Sequence, residues 1–248
     1  MAVNFKAYAK ACAILARIKL KYGTNTSIDI LDKLLHEKNF TIVYMPFDSK
    51  ISGFSSKHGD HYIIILNSND NHNRQNFTCA HELFHLFYEY DEHDNFIKSA
   101  KSEKIADLFA SYFLVPEEAF YIFLKDNGLI NKRKILISDI VKIENYFKVS
   151  RYAILIRLKD EGLIDQDQFE TFNKNVISTV RSFGGDVSKY VNGDSIKKTY
   201  GEYEKLANSL FDKGKITNGK FEEYLIDAFR ADLVYGNVED DNGNKSKR

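Results

Sequence analysis

Apolar positions near the start of the chain recur at helical spacing. Phe5, Tyr8, Cys12 and Leu15 share one face of a helix predicted over 4–21, which Tyr22-Gly23 ends. Ser27 can cap a second helix running to Leu35. The rhythm then changes. Three short runs, 41–45, 51–55 and 61–66, are separated by polar, turn-like residues and read as strands. Helical spacing returns from Arg74, where Phe77, Ala80, Phe84 and Phe87 fall three and four apart with no Pro or Gly among them. Another helix is predicted over 103–113, with Ile105, Leu108, Phe109, Tyr112 and Phe113 as its apolar residues. Asp139 to Phe147 reads as a helix, Lys148-Val149 as a turn, and Ser150 as the cap of a helix that stops before Gly162. That is helix-turn-helix spacing. Residues 166–237 look helical, broken by a loop around Gly184-Gly185 and Gly193. Residues 238–248 carry no apolar side chain after Val238 and are expected to form a disordered tail. The pattern as a whole is α+β, mostly helical, with a small three-stranded sheet.

Chemistry concentrates on the helix that begins near Arg74. Residues 81 to 85 read His-Glu-Leu-Phe-His. Residues four apart on a helix lie on one face about a turn apart, so His81 and His85 can aim two imidazoles at one metal ion. Glu82 points roughly 100° around from His81, where a carboxylate can act as a base toward a water on the metal. The plainer alternative is two surface histidines on a helix. The amphipathic context argues for a buried face instead.

Catalytic zinc usually takes three protein ligands and leaves one position open. Asp91, six residues after His85, would suit a pattern that turns at a glycine, but position 88 is Tyr, so Asp91 is rejected. Glu103 is the better third ligand. It shares a helix face with Asp107, one turn on, and Asp107 can accept the outer N–H of a ligand histidine. Ala106 and Ala110 lie near that face and permit another helix to approach closely. A solvated acidic face is the ordinary alternative for these two carboxylates.

Composition narrows the setting. Hydrophobic residues are 44% and aromatics 14%, which marks a globular chain of 248 residues. Lys+Arg and Asp+Glu are both 35, which argues against a mainly electrostatic nucleic-acid or membrane binder. Cys12 and Cys79 belong to no CxxC pair and are expected to be small buried hydrophobes, the alternative being a redox role for Cys79 beside the motif. The apolar run from Ala11 to Ala16 lies between Lys10 and Arg17 and does not read as a signal peptide, and no run approaches the ~20 residues of a membrane span. A cytoplasmic location with no membrane partner is expected. In the helix-turn-helix-like element, Lys148, Arg151, Arg157 and Lys159 are offset by Asp139, Glu144, Asp160 and Glu161. Packing or partner recognition is expected there rather than direct DNA binding.

The run Asn76-Phe-Thr-Cys-Ala-His-Glu-Leu-Phe-His85, then Glu103-x-x-Ala-Asp-x-Phe-Ala110, then Leu114-Val-Pro116, resembles the ImmA/IrrE family of metallo-endopeptidases. The likeness covers roughly residues 5 to 165, with a weaker echo around 200 to 233. Phe84 departs from it, because the family usually has Gly there; altered packing is expected rather than lost chemistry. The resemblance implies a zincin-like peptidase domain over 1–135, a helix-turn-helix-like element over 136–165 and a helical C-terminal region over 166–237. It implies Zn²⁺ as cofactor, and a substrate that is a helix-turn-helix transcriptional repressor on a separate chain. By the same resemblance the strand Tyr62, Ile63, Ile64, Ile65, Leu66 is the edge along which a substrate would lie, although an ordinary core strand would be equally apolar. A Tyr, His or Arg is expected to stabilise the oxyanion, with His58, His61 and His93 among the possibilities. Mn²⁺ or Fe²⁺ could also fill such a site. The contrasting function is a regulatory binding module whose zinc site is structural or vestigial. Structural zinc favours four closed ligands, often Cys, and has no use for a base at Glu82.

Overall fold

The computed structural model describes residues 4–48, 50–89, 100–130 and 134–236. Asp91, His93 and the expected tail at 238–248 lie outside them. Among the described residues the chain runs α1 (Phe5–Lys19), α2 (Ile30–Leu34), β1 (Phe40–Met45), β2 (Gly53–His58), β3 (His61–Asn67), α3 (His72–Tyr88) and α4 (Ala100–Leu114). It continues through α5 (Glu117–Asp126), α6 (Ile137–Phe147), α7 (Arg151–Asp160), α8 (Gln166–Phe172) and α9 (Val176–Ser182). β4 (Lys198–Gly201), α10 (Glu202–Asp212), α11 (Asn218–Asp227) and α12 (Ala231–Tyr235) complete it. The class is α+β, mostly helical, with a zincin-like core. No helix among the described residues is long and apolar enough to cross a membrane.

The sheet has four strands rather than three, in the order β2-β3-β1-β4. β1 and β3 are parallel, with Phe40 opposite Tyr62 and Met45 opposite Asn67. β2 and β4 flank them antiparallel. The fourth strand comes from the region expected to be helical. Its four residues are too few to show a period of their own, and they are extended because β1 offers them a ladder. β3 is therefore an interior strand, with Ile64 and Leu66 fully buried. This corrects the expectation that Tyr62, Ile63, Ile64, Ile65 and Leu66 form a substrate edge. Both backbone sides of β3 are already paired, and among the described residues the free edge on that side is β2.

α3 and α1 both pack on α4, and α3 also lies against β2 and β3. α1 buries Ala9, Cys12, Ala13, Ala16 and Arg17 and leaves Tyr8 and Leu15 exposed, so the expected Phe5-Tyr8-Cys12-Leu15 face is off by part of a turn. Small residues let α1 approach α4, where Ala106 and Ala110 are also fully buried. The buried Arg17 guanidinium donates to the carbonyls of Gly23 at 2.5 Å, Thr26 at 2.6 Å and Phe113, which locks the chain after α1 onto the end of α4. The second helix starts at Ile30 with Asp29 as its N-cap residue, and Ser27 instead donates to the Tyr146 carbonyl.

Helices α6 and α7 are joined by a short turn. Lys148 turns the chain at φ +54°, and Ser150 caps α7 by accepting from the Ala153 amide. Glu144 and Arg151 form a fully buried bidentate ion pair at 2.7 Å, and Arg151 also donates to the Phe172 carbonyl. Both cysteines are free and buried, and burial pushes the Cys79 thiol far up, which leaves it no ready thiolate.

Candidate functional site

Asn71 starts α3 by accepting from the Arg74 amide. The helix then buries Cys79, Ala80, Leu83, Phe84 and Leu86 against the core, which turns His81 and His85 toward α4. The two Nε2 atoms lie 3.0 Å apart. Glu103, in the first turn of α4, places Oε2 at 3.2 Å from His81 Nε2 and Oε1 at 3.7 Å from His85 Nε2. Ligands held about 2.0–2.2 Å from a tetrahedral zinc sit roughly 3.3–3.6 Å from one another. The two imidazoles and one carboxylate therefore fit a single divalent ion, and these three are the metal-capable group among the described residues.

Each ring is gripped from behind. His81 Nδ1 donates to Asp107 Oδ1 at 2.9 Å, and His85 Nδ1 donates to Glu89 Oε2. Burial disfavours a charged His81, yet the hydrogen bond to Asp107 and the charges of Glu82, Asp107 and Glu103 outweigh it and raise its pKa. So many carboxylates around one ring create a site that calls for positive charge.

Glu82 sits beside this group rather than in it. It is buried against β2, where Ser55 Oγ donates to Glu82 Oε2 at 2.7 Å. The strand reaches the helix this closely because position 53 is glycine. A Cβ there would stand 2.6 Å from the Ile65 carbonyl oxygen and 2.8 Å from Thr78 Cγ2. A cleft of about 810 Å³ opens over the site, lined by Gly53, His81, Glu82, Glu103, Leu108 and Ile156 among others.

A model of the IrrE N-terminal-like domain, peptidase family M78, matches residues 36–159. The chain belongs to this family. That makes it a member of the ImmA/IrrE-type metallopeptidases and implies a metal, for which His81, His85 and Glu103 are the candidate group. No curated protein matches the chain. The match spans β1 through nearly all of α7 and leaves out α1, α2 and everything from α8 on.

For an M78 chain the outcome of the sequence expectations is uneven. His81, Glu82, His85, Glu103 and Asp107 are brought together: helical period aligns them within α3 and α4, and the packing of α3 on α4 joins the two sets. His58 and His61 face each other across the β2–β3 turn, exposed and away from the cleft. His93 lies outside the described residues. Two residues escaped notice. Ser55 needed the strand-to-helix packing to be seen. Glu89 was within reach, since it stands four after His85 just as Asp107 stands four after Glu103. α7 also contributes more than expected, because Ser150, Tyr152, Ala153, Ile156 and Asp160 line the same cleft as the metal group.

Proposed function

We propose that this protein is a zinc-dependent endopeptidase whose substrate is a helix-turn-helix transcriptional repressor carried on a separate chain. One observation carries the reading: a His₂Glu ligand group stands beside a buried carboxylate, Glu82, that is itself held from the far side by Ser55. His81 Nε2, His85 Nε2 and Glu103 would hold the zinc. When bound, it supplies Lewis acidity toward a water and toward the scissile carbonyl. Ser55 occupies Glu82 Oε2, which leaves Oε1 as the proton acceptor. Glu82 takes the proton of the attacking water as the new C–O bond forms, then delivers it to the amide nitrogen as the C–N bond breaks. A structural zinc site has no need of a base held in this way.

The free edge of β2 offers unpaired backbone groups to an extended peptide, and α7 forms part of the wall of the same cleft. In this reading the helix-turn-helix-like element recognises substrate and does not bind DNA directly. Its Tyr152 and Ile156 give the wall an apolar surface.

The test is incubation of the zinc-loaded chain with candidate helix-turn-helix repressors, read by mass spectrometry. A single internal cut is expected. An intact partner that binds equally with and without zinc would favour a regulatory binding module instead.

A further inference from the structure

We propose that Glu89 is a positioning residue of the metal centre: it holds the His85 ring by Nδ1, keeps Nε2 facing the metal, and so sets how tightly the metal is bound. The inference rests on His81, His85 and Glu103 being the ligands, and does not depend on peptidase activity.

The location of Glu89 is the first argument. It is the C-cap residue of α3, and its amide still bonds the His85 carbonyl. The carbonyl end of a helix carries partial negative charge, so a carboxylate is disfavoured there and Lys, Arg or His is the ordinary choice. The Glu89 side chain is also buried, 7% exposed against 3% for His85. Its Oε1 has no hydrogen-bond partner among the described residues, where the His85 ring supports the carboxylate through Oε2. A carboxylate taken out of water without full pairing is costly, and a Leu would fill the space without that cost. The position breaks two local rules at once, and the contact with a metal-facing histidine is what the exception achieves.

The chemistry of that contact follows. A neutral imidazole carries one N–H. With the proton fixed on Nδ1, the lone pair on Nε2 is free for the ion, and the negative charge behind the ring makes Nε2 more basic. Asp107 makes the corresponding contact to His81, but its side chain is 61% exposed, so water competes for it. The buried pair is the stronger hold because the lower dielectric strengthens it. The two contacts are therefore unequal, and Glu89 carries the larger share.

The test uses the full chain and zinc alone. Zinc affinity is measured by chelator competition for the natural sequence, Glu89→Gln and Glu89→Ala. The ring nitrogens of ¹⁵N-labelled histidine are read by NMR in the zinc-loaded protein. Glu89→Ala should weaken zinc binding by about 10–100-fold. Glu89→Gln keeps an acceptor and loses the charge, so it should fall between, and it carries the test should the alanine variant not fold. In the natural sequence His85 should bind zinc through Nε2 and show a hydrogen-bonded Nδ1–H, whose resonance shifts in both variants. Zinc affinity unchanged within twofold in Glu89→Gln and Glu89→Ala, or a His85 that ligates through Nδ1, overturns the proposal. No substrate enters these measurements, so failure to find peptidase activity leaves the result standing.

Discussion

Phe84 stands inside the metal motif yet does the work of the core. It is buried between Tyr88 and Phe109, with ring centroids 5.6 and 5.5 Å away, and touches the His85 ring edge-on at 5.8 Å. Phe109 in turn stacks on Phe113. A glycine at 84 would need this aromatic column to be filled differently. Removing a buried Phe costs about 3–5 kcal/mol, and glycine in a helix interior adds roughly 1 kcal/mol over alanine. Phe84→Gly should therefore lower unfolding free energy by about 4–6 kcal/mol in urea titration, whereas Phe84→Leu should cost far less and retain zinc. Ser55 belongs to the same scale. Ser55→Ala removes the donor to Glu82 Oε2 and should lower kcat several-fold with little change in zinc affinity, read by steady-state kinetics and chelator competition. The ligand residues were legible in the sequence because helix geometry is local: spacings of four put His81 over His85 and Glu103 over Asp107 without any knowledge of the fold. Ser55 was not legible, because the contact spans strand and helix and depends on a glycine two residues before it.

At the scale of elements, the strand order is what periodicity could not supply. β2 and β3 both read as strands, but which one forms the edge depends on a parallel pairing between β1 and β3 that skips over β2 in sequence. The apolar run of β3 suits an edge and an interior strand alike, and only the pairing on both its sides decides between them. The contact of β2 with α3 at position 53 has a direct consequence. Gly53→Val would drive the strand off Thr78 and off the Ile65 carbonyl, pull Ser55 from Glu82, and should reduce activity more than zinc binding. Equal activity in that variant would contradict the packing argument. The turn between α6 and α7 was legible from Ser150 and the spacing. Its inner ion pair was not, since Glu144 and Arg151 read only as members of a set of offsetting charges with no pairing assigned. Breaking a buried pair from one side strands the other charge, so Glu144→Ala should cost about 3–5 kcal/mol in denaturant unfolding.

For the whole molecule, the peptidase sheet is closed on one side by a strand from beyond the family match. β4 pairs Lys198 to Gly201 with Tyr44 to Thr41, and the Tyr203 amide bonds Thr41 Oγ1 at 3.2 Å as α10 begins. A chain ending at residue 190 would leave the outer side of β1 unpaired, and a bare apolar edge is an aggregation hazard. That truncation should reduce soluble yield and expose dye-binding apolar surface, measured by light scattering and fluorescence. A metal held by His81, His85 and Glu103 would act at this scale too, because it would tie α3 to α4. Zinc at a thousand times its dissociation constant should stabilise the fold by about 4 kcal/mol, seen as a melting temperature that falls when a chelator is added.

The central claim is that a metal held by His81, His85 and Glu103 works with Glu82 as the base. The most direct measurement pairs bound zinc with cleavage of the repressor partner for the natural sequence and Glu82→Gln. The account predicts one zinc per chain in both, with cleavage abolished by the substitution. Full cleavage by Glu82→Gln at equal zinc content would contradict it.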